Sequence, residues 1–570
     1  MQSRADQIRR LAAQTSVDVL IIGGGINGVG VMRDLAAQGV ACLLAEQGDF
    51  GGGTSAAPSR LIHGGLRYLE TGEFALVRES VEERNLLLHN AAHVVRPIRV
   101  WVPVRGWLGG LGSAAGRALR LIRTPSSKGG CVVAMGLWVY DWFGRAWRSM
   151  PGHRMVSRRE ALATMPSLMP GISVIGEYYD ARITHPERLV AELVADAEAD
   201  CPQAMAINYL AVTGRSGGTV ELTDRVSGER FSVTPRLVIN TAGPWVDVVD
   251  GRLGYDEKLM GGTKGSHLVI RAPELVRELG DTMLYFETPD HRVCLIYRME
   301  GDLFLLGTTD LRTSDPADVV CSPAEIDYLF RVLREVLPKT RLGPASIVFH
   351  YAGVRPLPAS RAGATGAISR DHKLHVREPD DGRPFALLTL VGGKWTTYRA
   401  CAEQIADAVL ARLGTARRTS TKHLRVGGGR GLDAGAASLA ALSAQVATRS
   451  GLPQPVADRL TARYGSGALA IAEAMAAGPD RPVAGAPSYS RAEIAWLAQN
   501  ERVERLEDIV LRRTLIAFEG LAVPEVLADL AEIVGAALGW NRARREEELA
   551  ATVALMAARH GVPAALAAAA

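Results

Sequence analysis

The stretch from Val17 to Glu46, VDVLIIGGGINGVGVMRDLAAQGVACLLAE, decides the fold. Its apolar opening (Val17, Val19, Leu20, Ile21, Ile22) suits a strand buried on both faces. Gly23, Gly25 and Gly28 follow, and then Val29, Val31, Met32, Leu35 and Ala36 give an apolar helix pattern. The first glycine makes a tight turn, the second lets the backbone approach a pyrophosphate, and the third lets the helix pack close to the strand. The phosphates then meet the helix N-terminus, where free N–H groups and the dipole favour negative charge. A second apolar strand, Val40 to Ala45, ends in Glu46, eighteen residues after Gly28, where a carboxylate would hold ribose hydroxyls. Strand, glycines, helix, strand and acid agree in order, and they predict a dinucleotide lying against the N-terminal domain.

At 570 residues the chain exceeds what one hydrophobic core serves, so two or three domains are expected. Apolar content of 47% with 22% charged residues is that of an ordinary globular protein, and a net charge of +4 lends no support to a nucleic-acid partner. The six cysteines (Cys42, Cys131, Cys201, Cys294, Cys321, Cys401) form no CxxC pair. That argues against a disulfide framework and a cysteine-ligated metal or iron–sulfur centre, and for a reducing cytosolic compartment; no metal site is expected. Residues 1–16 lack the apolar core of a signal peptide and read as a loose leader. No window approaches eighteen consecutive apolar residues, so no membrane span is expected, while peripheral attachment stays open.

Beyond the first unit comes a glycine-rich loop, GDFGGGTSAAPSRLIHGGLRYLE, and then a helical segment to about Asn90. From Arg96 to Lys128 the chain carries Arg96, Arg99, Arg105, Arg117, Arg120, Arg123 and Lys128 and no acid, with Trp101, Trp107, Trp138, Trp142 and Trp147 within or just beyond. Such a stretch suits an amphipathic element on an anionic bilayer, or equally a solvated basic face over core tryptophans. The runs Leu237 to Gly243 and Leu303 to Asp310 read as further strands of the α/β body. LVIRAPEL, VCLIYRM and LFLLG carry an antiparallel flavour, which predicts a sheet-based substrate domain threaded through the nucleotide domain. Helical, alanine-rich sequence dominates from about Ala402, and Arg417 to Gly431 reads as a linker. Glycines at Gly51 to Gly53, Gly64, Gly65, Gly243, Gly392 and Gly393 suggest one large cofactor held along its whole length. In VGGKWTTYRACAEQIADAVLARL, an apolar strand (Phe385 to Val391) leads through Gly392-Gly393 into a helix whose first turns carry Thr396 and Thr397. A helix N-terminus aimed at a flavin's pyrimidine end would stabilise the anionic reduced ring.

GGGINGVGVMRDLAAQG, SRLIHGGLRYLE, KGSH (Lys264 to His267), GTTD (Gly307 to Asp310), YAGVRPL (Tyr351 to Leu357), SRDH (Ser369 to His372), GGKWTTYR (Gly392 to Arg399), YGSG at Tyr464 and ERVERLEDIVLRRT (Glu501 to Thr514) run in this order. Together they resemble the FAD-dependent glycerol-3-phosphate dehydrogenases, of the aerobic, quinone-linked type, over nearly the full chain. The resemblance implies a Rossmann-type FAD-binding domain and an interleaved antiparallel-sheet substrate domain over residues 1–425, mixing α/β and α+β architecture, with an all-α C-terminal domain over 426–570. It implies FAD contacts at Gly23, Gly25, Ile26, Asn27, Gly28, Glu46, Thr54, Ser55, Leu61, His63, Gly64, Gly65, Gly243, Gly393, Lys394 and Thr396.

A phosphomonoester calls for convergent cations, and Arg67, Arg355, Arg370 and Lys394, with Tyr68 and His267, match the family's substrate pocket. His267, Arg355 and Lys394 are the implied catalytic residues, His267 as proton acceptor because its ordinary pKa lies near working pH; a neighbouring arginine stabilising a forming alkoxide is the alternative. The implied partners are glycerol 3-phosphate, a quinone and the inner face of the cell membrane, from the cytoplasmic side, with a homodimer left open. An oxygen-using oxidase of glycerol 3-phosphate, or a related flavin oxidase, is the alternative reading. The chain departs from the family at Ser55-Ala56-Ala57-Pro58-Ser59-Arg60, where members commonly have a serine-rich stretch ending in lysine.

Overall fold

The computed structural model describes residues 2–69, 72–107, 129–145, 150–288, 290, 292–313, 315–317, 319–359, 371–433 and 435–563. The apolar run after Thr15 forms the strand Ser16–Ile22 at the centre of a parallel sheet. Arg230–Asn240 and Cys42–Ala45 flank it, Ala386–Val391 and Met205–Ile207 extend the parallel set, and Lys373–Arg377 adds an antiparallel edge. Val19, Leu20 and Ile21 are wholly buried, which explains a continuous rather than alternating apolar run. The helix Ile26–Ala37 covers one face, beside Pro186–Asp200 and Tyr398–Leu413.

A second, mainly antiparallel sheet runs in the order Leu311–Arg312, Met260–Arg271, Leu303–Gly307, Val293–Glu300, Thr282–Glu287, Val95–Val104, Val174–Ile183, Leu61–Ile62. Ile347–Pro358 also pairs along Met260–Arg271, setting Arg355 opposite Thr263 and Tyr351 opposite His267. Leu303–Gly307 therefore belongs to this sheet and not to the α/β body. Its unbroken hydrophobicity has a different cause: Leu303 and Leu305 enter one core while Phe304 and Leu306 enter another on the opposite face.

Helices from Ala436–Ser450 to Arg542–His560 dominate the C-terminal region, which is not wholly α as expected, because Pro482–Val483 and Ala486–Ser490 pair there as a small antiparallel sheet. They share a continuous core with one face of the second sheet, which holds Val269, Leu305 and Tyr351 together with Leu497, Leu530 and Met556. The segment read as a linker is built into the body: Val426 is buried, the Gly427 N–H donates to Asp196 at 2.9 Å, and a Cβ at Gly428 would lie 2.3 Å from the Tyr464 carbonyl oxygen.

The expected loose leader is instead the helix Arg4–Ala13, with Leu11 and Gln7 buried. Polar groups distant in sequence anchor it, Arg4 on Asp224 at 2.7 Å and Gln7 on Glu198 at 2.7 Å, a device that hydrophobic periodicity does not register. The tryptophans divide between the two readings. Trp101 is buried and donates to Glu177 at 2.8 Å, whereas Trp107, Trp138 and Trp142 are 49%, 58% and 53% exposed. Arg117, Arg120, Arg123, Lys128 and Trp147 lie outside the described residues. No described helix is long and apolar enough to cross a membrane.

Candidate active site

At the carboxyl end of Ser16–Ile22, Gly23 turns the chain with φ +103°. A Cβ there would lie 2.8 Å from the Thr241 carbonyl oxygen, and one at Gly28 only 1.9 Å from that of Gly23. Gly25 caps the helix Ile26–Ala37 without a side chain, leaving the N-terminus open to a phosphate. The Ile26 N–H donates to the Ser55 hydroxyl oxygen at 2.9 Å. Glu46, just past Cys42–Ala45, accepts from Gly24 at 2.6 Å and Gly48 at 2.7 Å. Burial raises its carboxyl pKa, outweighing those two donors. Asn27 lies between this turn and the second one: a Cβ at Gly393 would lie 2.9 Å from Asn27 Nδ2, while the buried Asn27 Oδ1 accepts no hydrogen bond from the described residues. Two glycine turns facing across an unsatisfied amide oxygen fit a long cofactor running from one motif to the other. Gly243, φ +58°, follows Arg230–Asn240 at the same end of the sheet.

The loop after Gly53 ties the two sheets together. Thr54 Oγ1 donates to the Val354 carbonyl at 2.7 Å, and Trp395 Nε1 donates to the Ser55 carbonyl at 3.1 Å. The Tyr351 hydroxyl donates to the Pro58 carbonyl at 2.7 Å and the Tyr297 hydroxyl to that of Ser59 at 3.2 Å. Arg60 takes φ +52°, a left-handed conformation costing a non-glycine residue about 1–2 kcal/mol. It is held there by Glu187 at 2.8 Å, the Thr184 carbonyl at 2.7 Å and the Phe518 ring at 3.8 Å. Leu61 is buried in its short strand, and the Gly64 N–H donates to the Tyr140 hydroxyl (2.9 Å) and Asp180 (3.1 Å). Gly65, φ +77°, lets the Tyr68 ring close over it, and His63 lies 6.4 Å from that ring.

His267 and Arg355 sit on the two paired long strands. The His267 ring stacks on Tyr351 at 4.9 Å, and its Nε2 is 2.8 Å from Ser59 Oγ. Burial, with the nearby Arg355 and Arg60 charges adding to it, lowers the imidazole pKa to about 3, so the ring is neutral at neutral pH. Arg355 donates to Asp310 at 3.0 Å, to Thr308 Oγ1 at 3.0 Å and to the Thr309 carbonyl at 3.2 Å. Glycines make room for both groups: a Cβ at Gly307 would lie 2.2 Å from His267 Cδ2, and one at Gly265 2.2 Å from Arg355 Nη2. Lys394 forms a second cluster, with its ammonium 3.8 Å from the Tyr68 ring centre and 3.2 Å from Ser80 Oγ. Thr396 and Thr397 are buried, but they precede the helix, which starts at Tyr398. Arg370 and the side chain of Arg67 lie outside the described residues.

Sequence reasoning passed over Ser59, Tyr351 and Ser80. The motif YAGVRPL carried the usable signal for Tyr351, since period-two alternation puts Tyr351, Gly353 and Arg355 on one face of their strand.

Glycine turns at the carboxyl ends of parallel strands, joined through the 54–59 loop to a buried imidazole, suit an FAD-dependent oxidoreductase. Residues 18–408 match the family model described as FAD dependent oxidoreductase, and residues 419–545 the one described as C-terminal domain of alpha-glycerophosphate oxidase. A glycerol-3-phosphate dehydrogenase of Synechocystis sp. is 34% identical over 567 residues, covering 94% of this chain and 95% of the relative. A D-erythritol 1-phosphate dehydrogenase of Brucella abortus is 32% identical, covering 69% and 74%. The solved structure of the Bacillus halodurans glycerol-3-phosphate dehydrogenase complexed with FAD is similar in fold, with a TM-score of 0.74 at 22% identity over 97% of each chain. The chain belongs to the FAD-dependent glycerol-3-phosphate dehydrogenase family.

Proposed function

We propose that this chain oxidises sn-glycerol 3-phosphate to dihydroxyacetone phosphate and passes the electrons to a membrane quinone. The observation that carries the reading is that His267 and Arg355 stand on two paired strands tied to the 54–59 loop, which in turn contacts the first glycine turn. In this reading FAD, when bound, supplies the two-electron oxidant, held by the Gly23 to Gly28 turn, Glu46, the 54–65 loop, Gly243 and the Gly393 to Thr396 turn. Arg355 and Lys394, with Tyr68, Arg67 and Arg370, bind the phosphate dianion and orient the alcohol carbon. His267 takes the hydroxyl proton in its neutral form, but its pKa of about 3, far from the near-neutral value expected from the sequence, makes it a weak base that holds the proton only until it leaves the site. The reading assigns residues 1–425 to the interleaved cofactor and substrate domains and 426–570 to the helical one.

Met135, Trp138 and Trp142 support the quinone and the membrane. They are exposed along one side of the helix Gly130–Phe143, a face suited to the interfacial layer of a bilayer. The enzyme then works from the cytoplasm against the inner face of the cell membrane. The match of residues 419–545 to an oxidase C-terminal domain favours a second reading, with dioxygen as acceptor.

The test is anaerobic addition of glycerol 3-phosphate to the FAD-loaded protein. Bleaching of the flavin absorbance, faster than with erythritol 1-phosphate, is expected, and bound flavin that stays oxidised would sink the proposal. Reoxidation by a soluble quinone analogue without formation of hydrogen peroxide in air separates the two acceptors.

A further inference from the structure

We propose that the Ser59 hydroxyl relays the substrate's proton to His267, so that Ser59 is a catalytic residue of this enzyme. The inference rests on the reading of the chain as an oxidase of a phosphorylated secondary alcohol. His267 is 2% exposed, and its Nδ1 is buried with no hydrogen-bond partner among the described residues. Its Nε2 is the ring nitrogen with a connection, 2.8 Å from Ser59 Oγ, and Ser59 itself is only half-buried. A proton arriving from the cleft therefore meets Ser59 before it meets the imidazole.

The surroundings aim this hydroxyl and leave it available. The Tyr297 and Tyr351 hydroxyls donate to the carbonyls of Ser59 and Pro58, which fixes the backbone on both sides of the serine oxygen. Arg60, locked onto Glu187 and the Thr184 carbonyl, holds the left-handed turn that follows it. The Tyr351 ring under His267 fixes the imidazole plane. Serine hydroxyls accept and donate at once, as a relay requires.

The step balances as follows. The C2–H bond breaks, and its hydrogen and electron pair go to the two-electron oxidant that the family's cofactor supplies. The O–H bond on the same carbon breaks, its electron pair closes the C=O bond, and its proton passes to Ser59 Oγ. The original Ser59 proton passes to His267 Nε2, leaving an imidazolium. His267 must then begin with a bare Nε2 and its proton on Nδ1, at the cost of a buried N–H without a partner among the described residues.

The experiment uses the FAD-loaded enzyme with FAD content matched by visible absorbance. In Ser59→Ala, the rate of anaerobic flavin bleaching by glycerol 3-phosphate is expected to fall by about 100-fold or more, the usual worth of a positioned proton-transfer group. The substrate concentration for half-maximal rate should hold within about threefold, because no phosphate contact is removed. Ser59→Thr should recover most of the rate, and the slowing in D2O should differ between wild type and Ser59→Ala. Histidine-15N NMR of the wild type, with the His267 signal assigned by its loss in His267→Gln, should show a bare Nε2. A proton found fixed on Nε2, or a Ser59→Ala enzyme bleaching at the wild-type rate with the same D2O effect, overturns the relay alone. A wild type that glycerol 3-phosphate does not bleach removes the functional reading as well.

Discussion

Asp49 and Arg513 stand 464 residues apart and meet in a fully buried two-pronged ion pair, at 2.7 and 2.9 Å. Arg512 adds a third contact to the same carboxylate at 2.7 Å. Burial alone would raise the Asp49 pKa, but Arg513 and Arg512 together hold it well below the ordinary carboxylate range. Asp49 lies three residues beyond Glu46, in the loop proposed to hold the cofactor ribose. The helical C-terminal region thus clasps the far side of the nucleotide site.

Arg513→Met leaves Asp49 buried with part of its charge uncompensated, which costs about 3–5 kcal/mol in comparable buried pairs. Thermal denaturation should show a large fall in midpoint, and gel filtration should show FAD lost more readily than from wild type.

Gly28→Ala should abolish cofactor binding, because the added methyl collides with the Gly23 backbone, which cannot swing away as a side-chain tip can. The expected outcome is soluble protein without visible flavin absorbance. Full FAD occupancy in this variant would contradict the assignment of the turn.

Arg355→Ala should raise the KM for glycerol 3-phosphate about 10- to 100-fold with FAD still bound, the equivalent of one charge-assisted contact at about 1.5–3 kcal/mol. Steady-state kinetics alongside the flavin spectrum separate substrate from cofactor effects. An unchanged KM removes Arg355 from the pocket.

Glu325 connects the site to acid stability. Burial raises its pKa, but Lys264 at 2.6 Å, with donors from Ser322 and Thr309, outweighs burial and brings the pKa from 4.5 to about 2. Because the folded-state value is the lower one, the stabilisation is complete above about pH 4.5 and is lost as pH falls toward 2. It amounts to about 3 kcal/mol at 1.36 kcal/mol per unit over a shift from 4.5 to about 2. Denaturant melts of Glu325→Gln should give lower stability at pH 7 and a flatter dependence between pH 4.5 and 2 than wild type.

Trp138→Ser with Trp142→Ser should weaken pelleting with anionic vesicles and leave flavin bleaching intact, since both rings point to solvent. Equal pelleting would remove this face from the membrane reading.

The nucleotide unit was legible because its signals are local: a strand with no polar face, glycines at fixed offsets and an acid at the next strand end. The substrate sheet was half legible. Leu303–Gly307 reads both as a strand of the α/β body and as an antiparallel one because two cores cover its two faces, and nothing within five residues distinguishes that from burial between helices. The N-terminal helix was missed because Gln7 and Arg4 find their partners near residues 198 and 224. Ser59 drew notice only as part of a departure from the family pattern. Its place beside His267 depends on Tyr297, Tyr351 and Glu187, three anchors from three separate segments.

The core shared by the second sheet and the tail bears on how the protein is made. Phe349 and Tyr351 pack against Phe518, and Phe349 also stacks on His560. On a ribosome adding about 5–20 residues per second, that sheet face is synthesised roughly 10–30 s before its cover. Until then a nascent chain carries an uncovered apolar sheet and an Asp49 still waiting for its arginines. Such a surface is prone to aggregate in that interval, and a ribosome that stalls late leaves a product with the whole cofactor motif and no finished site to hold it.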